Sequence, residues 1–86
     1  MYTLVLSRKF QKELEKTVKD NPKLKPQISK TLRLVLSDLK HPSLRLHKLS
    51  GQNNWSVSAT KSLRIIIRPE EDKLYLLRIG KHEDVY

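Results

Sequence analysis

The sequence predicts an α+β fold: a single small domain in the order β-α-α-β-β-β, with two helices packed on one face of an antiparallel sheet. Three observations lead there. Between residues 8 and 39, apolar side chains recur at steps of three and four, the period of a helix with one buried stripe. From residue 55 onward they alternate at the period of a strand. The stretches between the alternating runs are short and polar, which makes successive strands antiparallel neighbours. At 86 residues the chain has material for one core and one domain, residues 1–86.

The elements follow in order. Tyr2, Leu4 and Leu6 alternate with Thr3 and Val5, a short strand, and Ser7 behind them is suited to cap a helix. From Arg8 to Lys19 the apolar positions Phe10, Leu14 and Val18 form one narrow stripe, with Lys and Glu around it. Asp20-Asn21-Pro22 ends that helix. A second helical pattern carries a wider stripe of Leu24, Ile28, Leu32, Val35, Leu36 and Leu39. Pro22 or Pro26 suits its first turn, where a missing N–H costs nothing, and its end is expected at His41-Pro42. His41 is then a last-turn residue favoured by the helix dipole.

The period now changes. Trp55, Val57 and Ala59 alternate with Ser56 and Ser58; Leu63, Ile65 and Ile67 alternate with Arg64, Ile66 and Arg68; a third run spans Lys73 to Ile79. Thr60-Lys61-Ser62 and Pro69-Glu70-Glu71-Asp72 are compact polar connections, so the three strands form a meander. Two helices ahead of three hairpin-linked strands pack on one face of the sheet and leave the other open for a ligand.

Composition limits the function. The chain has no cysteine, which excludes a disulfide framework and a thiolate metal cluster. No apolar stretch approaches the roughly 20 residues of a membrane span, and MYTLVLSRKF lacks the pattern of a secretory signal. The expectation is a cytoplasmic protein without a membrane partner. Lys and Arg total 18 against 9 acids, a net charge of +9, so a polyanion is the default partner, nucleic acid first. Residues 1–50 hold 12 basic and 4 acidic side chains, residues 51–86 hold 6 and 5. Any one lysine reads as solvated surface; the excess in the helical half is harder to assign to solvation alone.

Strand alternation puts Arg64 and Arg68 opposite the aliphatic side of their strand, about 13 Å apart at roughly 3.3 Å per residue. They suit neighbouring phosphates of an RNA strand, and equally suit solvent or acids of the next strand. In the segment Arg45 to Gly51, Leu46 and Leu49 anchor a loop that turns His47 and Lys48 outward. An imidazole there is a candidate proton acceptor, or ordinary surface. The chain closes with LLRIGKHEDVY, an apolar run that stops at Gly80 and delivers Lys81, His82, two acids and Tyr86.

These pieces together resemble the RelE/YafQ superfamily of type II toxin-antitoxin mRNA interferases, over essentially the whole chain. The resemblance rests on an N-terminal strand, two helices, an H-K-L-S-G-x-x-x-W segment from His47 to Trp55, an L-R-I-I-I-R strand from Leu63 to Arg68, and a closing R-I-G-K-H-x-x-x-Y from Arg78 to Tyr86. The YafQ-like branch is nearest, since one His stands before the Trp strand and another follows the closing glycine.

The resemblance implies an endoribonuclease, without metal or cofactor, that cuts messenger RNA in the ribosomal A site and inhibits translation. The 2′-OH attacks the adjacent phosphorus and leaves a 2′,3′-cyclic phosphate and a 5′-hydroxyl. By the same resemblance His82 is the general acid, His47 the base or second proton carrier, and Arg64 the stabiliser of the transition state. Lys48, Arg68 and Lys81 bind the substrate by charge, and Tyr86 stacks on a base. A cognate acidic antitoxin neutralises the toxin in a hetero-oligomer. Many relatives carry Arg or His on the strand after the tryptophan, where this chain has Ser56, Ser58 and Ala59, and YafQ-like members use an acidic residue and a further His that this middle region lacks; two expectations stay open, a modest activity or Arg68 standing in for the lost charge. Two other classes stay open: ParE-like toxins, which share the fold and poison gyrase without cutting RNA, and a non-enzymatic basic RNA-binding module.

Overall fold

The computed structural model of the chain describes residues 2–49 and 53–81. Strand β1 (Thr3–Leu6) leads into helix α1 (Arg8–Asp20), then helix α2 (Leu24–Ser37), a 3-10 turn at Pro42–Leu44, and strands β2 (His47–Lys48), β3 (Trp55–Ser58), β4 (Leu63–Glu70) and β5 (Lys73–Lys81). The sheet order is β1-β5-β4-β3-β2. The expected helix-on-sheet architecture holds. The sheet is mixed, because β1 lies parallel to β5 while the other neighbours are antiparallel.

One core explains the packing. Phe10 of α1 and Ile28 and Val35 of α2 are buried against Val57, Ile65, Ile67, Leu74, Leu76 and Ile79 of the sheet, with Leu44 from the 3-10 turn. Each strand therefore gives alternate residues to the helices and the rest to the opposite, open face, on which no described helix packs, although Ser56 and Ile66 at its centre are also buried.

Three expectations change. α2 ends at Ser37, four residues before His41, because Asp38 takes an extended backbone (φ −157°) and its N–H closes on the Leu34 carbonyl. Leu39 still packs against the core from the connecting turn, so its place in the apolar pattern reflected burial without a helix. His41 is not a last-turn helix residue: its Nδ1 accepts from the Ser43 N–H at 3.1 Å and caps the 3-10 turn. His47 and Lys48 lie in a two-residue edge strand, where a loop was expected.

The outer edge of β5 is closed by α1. Ser7 donates its N–H to Leu76 O (3.0 Å) and its hydroxyl to Leu77 O (3.0 Å), while Ser7 Oγ accepts from Phe10 N–H (3.0 Å). One residue thus caps α1 and ends the β1–β5 pairing. Beyond it, Glu13 Oε1 accepts from Ile79 N–H (3.2 Å) and Oε2 from Arg78 Nη2 (2.8 Å). A carboxylate takes the place of a neighbouring strand and blocks the edge to other chains. A bulge opposite Ile66 and Ile67 offsets the β4–β5 register by one residue here.

Candidate functional site

The open face is built in rows, since residues paired across antiparallel strands point the same way about 5 Å apart. Leu74 and Leu76 are fully buried in the core, so Tyr75 between them turns to the open face. Its partners are Arg68 on β4 and Val5 on β1. Asn54, just ahead of β3, completes this first row: its Oδ1 accepts from Arg68 Nε at 2.8 Å. The second row runs His47, Ser56, Ile66, Arg78 across β2 to β5. The third holds Ser58, Arg64 and Gly80. Successive rows are roughly 7 Å apart along the strands.

The rows carry positive charge and hydrogen-bond donors. Arg64, Arg68 and Arg78 stand on them with His47, and no carboxylate occupies any of the three rows. Arg78 is compensated from behind by Glu13. Arg64 differs: its Nη1 is buried and has no hydrogen-bond partner among the described residues. Ser56, 0% exposed, likewise has an Oγ without a partner among them. A buried guanidinium N–H left unbonded costs about 1–3 kcal/mol, and such a donor is pre-organised for an incoming anion. Gly80 directly opposite Arg64 has no side chain, so β5 does not fill the space beside the guanidinium.

The structure therefore brings together His47, Arg64 and Arg68 on one face. From strand spacing, His47 lies two strands and one row from Arg64, roughly 12 Å between backbones, within reach of two long side chains sharing one ligand. Lys48 and Lys81 go elsewhere. Lys48 pairs with Trp55 and Lys81 with Leu63, so alternation assigns both to the helix side. Lys81 lines a cleft of about 760 Å³ with Glu13, Lys16 and Asp20. His82 and Tyr86, the residues on which the sequence places the general acid and the stacking aromatic, lie outside the described residues. Sequence reading passed over Tyr75, Asn54 and the Glu13–Arg78 pair. The first had a signal, the Leu74–Tyr75–Leu76 alternation; the Glu13–Arg78 contact spans 65 residues and had none.

A family model described as ParE toxin of type II toxin-antitoxin system, parDE, matches residues 4–86. No curated protein sequence matches the chain. Among solved structures, a copper-bound mutant toxin from Helicobacter pylori is 23% identical, with 100% of each chain covered and a TM-score of 0.79. YafQ in the E. coli DinJ-YafQ complex is 16% identical, covering 100% of this chain and 99% of that one, with a TM-score of 0.83. A YoeB/ParE toxin from Agrobacterium tumefaciens is 17% identical over 95% of this chain and 99% of that one, at 0.79. At these identities the structural likeness speaks for the fold.

Proposed function

Because the chain belongs to the ParE toxin family, within the RelE/YafQ-like superfamily of type II toxin-antitoxin toxins, we propose that it cuts messenger RNA in the ribosomal A site and is neutralised by an acidic antitoxin. The observation that carries this reading is the set of three rows without a carboxylate, on which the unbonded Arg64 Nη1 shares a face with His47. A phosphodiester passing to a phosphorane gains negative charge, and a pre-aimed guanidinium in a site shielded from water stabilises that charge more than it stabilises the ground state.

The bond changes balance without a cofactor. The 2′-oxygen forms a bond to phosphorus as its proton passes to His47; the P–O5′ bond breaks as the 5′-oxygen takes a proton from His82. A 2′,3′-cyclic phosphate and a 5′-hydroxyl remain. Imidazole serves either transfer near neutral pH. Arg68, held by Asn54, binds a flanking phosphate, and Tyr86 stacks on a base. Lys48 and Lys81 add positive potential from the helix side of the sheet. The antitoxin partner is proposed on the chain's +9 charge and on YafQ being solved together with DinJ.

The second reading, a gyrase poison that cuts no RNA, is favoured by the ParE family match and by Ser56, Ser58 and Ala59 on the strand where many interferases carry basic residues. Pulse labelling after induction without antitoxin separates the two. The nuclease reading expects protein synthesis to stop within minutes while supercoiling is unchanged. Continued synthesis with trapped gyrase cleavage complexes would transfer the chain to the second class.

A further inference from the structure

We infer that Tyr75, with Arg68 fixed beside it by Asn54, forms a nucleobase-stacking platform that seats a single-stranded RNA nucleotide on the row next to that of His47, three strands across the sheet from it. The inference rests on the nucleic-acid reading of this face and extends it to residues that reading does not use.

The observations are local. Tyr75 is half-buried between two fully buried leucines, so its ring rises from the open face with its base packed. It is the one aromatic residue in the three rows. Its cross-strand partner Arg68 would cover the ring if it turned toward β5, since a guanidinium readily stacks on a tyrosine. The hydrogen bond from Arg68 Nε to Asn54 Oδ1 (2.8 Å) holds it in the opposite direction, toward β3. Asn54 is itself 9% exposed and so does not wander. On the other flank stands Val5, short and half-buried. The ring is thus bordered by a small apolar side chain and by a cation turned away from it, an arrangement that accepts a flat apolar surface on the ring and a phosphate on the Nη groups of Arg68.

RNA fits this pairing better than a peptide does. Sheet faces bind single strands by stacking bases on aromatic side chains while cations follow the backbone. The neighbouring row offers Arg78 and His47, and none of the three rows offers a carboxylate to a basic partner.

Fluorescence anisotropy with a labelled, uncleavable 2′-O-methyl hexauridylate and its abasic counterpart tests the platform. The parent binds the uridine oligomer more tightly than the abasic one. Tyr75→Leu should weaken uridine binding about 5- to 100-fold and abolish the preference, while Tyr75→Phe keeps both. Equal binding of the two oligomers by the parent, no binding of either, or a Tyr75→Leu variant that retains the preference would overturn the inference. So would a Tyr75→Leu variant that loosens only an antitoxin complex, which would mark the ring as a protein-docking residue. Primer extension on a translated message with the same variants keeps the two readings apart. A parent that leaves the message intact defeats the nuclease proposal and leaves the base preference to judge the platform; a parent that cuts, with Tyr75→Leu cutting at unchanged KM, defeats the platform alone.

Discussion

Under the proposed nuclease reading, Arg64 concentrates the conflict between stability and activity in one side chain. Its Nη1 is buried without a hydrogen-bond partner among the described residues, a costly arrangement that a purely structural arginine would have resolved. Arg64→Met keeps the aliphatic stem and removes the unbonded donor. The variant is expected to be about 0.5–1 kcal/mol more stable, read as a melting temperature several degrees higher for a domain of this size, while messenger cleavage falls at least about 10²-fold. A less stable variant would mean that the guanidinium has a structural partner. The residue scale was also where the sequence spoke most clearly. Alternation along Leu63 to Arg68 separated the buried aliphatics from Arg64 and Arg68, because a two-residue period leaves little freedom once one face is buried. Asn54 gave no such signal, since its partner Arg68 lies 14 residues away on another strand.

At the level of elements, the edge of β5 and its hairpin decide how the open face is held. Ser7 both caps α1 and anchors Leu77 O; an ordinary cap is worth about 1 kcal/mol, and the second bond adds to it. Ser7→Ala is therefore expected to cost about 1.5–2.5 kcal/mol by urea denaturation, and Ser7→Gly less, because glycine is itself an acceptable cap. A loss below about 0.5 kcal/mol in Ser7→Ala would remove Ser7 from this role. The two-residue hairpin between β4 and β5 places Glu71 at φ 54°, a left-handed conformation that Asn adopts more easily than Glu. Glu71→Asn should stabilise the chain by about 0.5–1 kcal/mol, again by denaturation. The sequence marked this turn by its polar cluster but carried no Gly or Asn to announce its handedness. The end of α2 was misread for a related reason: Leu39 continues the apolar period because it packs on the core, and periodicity reports burial before it reports helix. The strand at His47–Lys48 is two residues long, too short for any period to register.

Taken whole, the molecule carries positive charge on two sides, the lysines of α1 and the arginine rows of the sheet. Its radius of gyration is 11.9 Å, close to the roughly 12 Å of a compact domain of this length, and one core lies between the two layers. On α1, Lys9, Lys12, Lys16 and Lys19 are exposed at steps of three, four and three, on the side of the helix away from Phe10. Four of the twelve basic side chains of residues 1–50 thus lie on the side of α1 away from Phe10, with Lys16 also lining the cleft shared with Lys81. An acidic antitoxin would be steered by this helical field and need not meet the site first. Replacing Lys12 and Lys16 by Gln is expected to slow antitoxin association several-fold and flatten its salt dependence, with cleavage by the released toxin unchanged; stopped-flow mixing across ionic strengths measures it. An unchanged salt slope would place the antitoxin contact elsewhere. Composition predicted the excess but not its division between two sides, which arises from the helix period and from the way α1 packs.

The central claim is that this chain cuts messenger RNA by metal-independent attack of the 2′-OH, with His82 giving the proton to the 5′-oxygen. Primer extension on a message being translated in a cell-free system, with the antitoxin-free parent and the His82→Gln variant, tests it most directly. The account predicts discrete cleavage within codons by the parent, ends that carry a 2′,3′-cyclic phosphate, and a loss of about 10²- to 10⁴-fold in the variant with an unchanged melting temperature. Full-rate cleavage by His82→Gln, or an intact message with the parent, would contradict it.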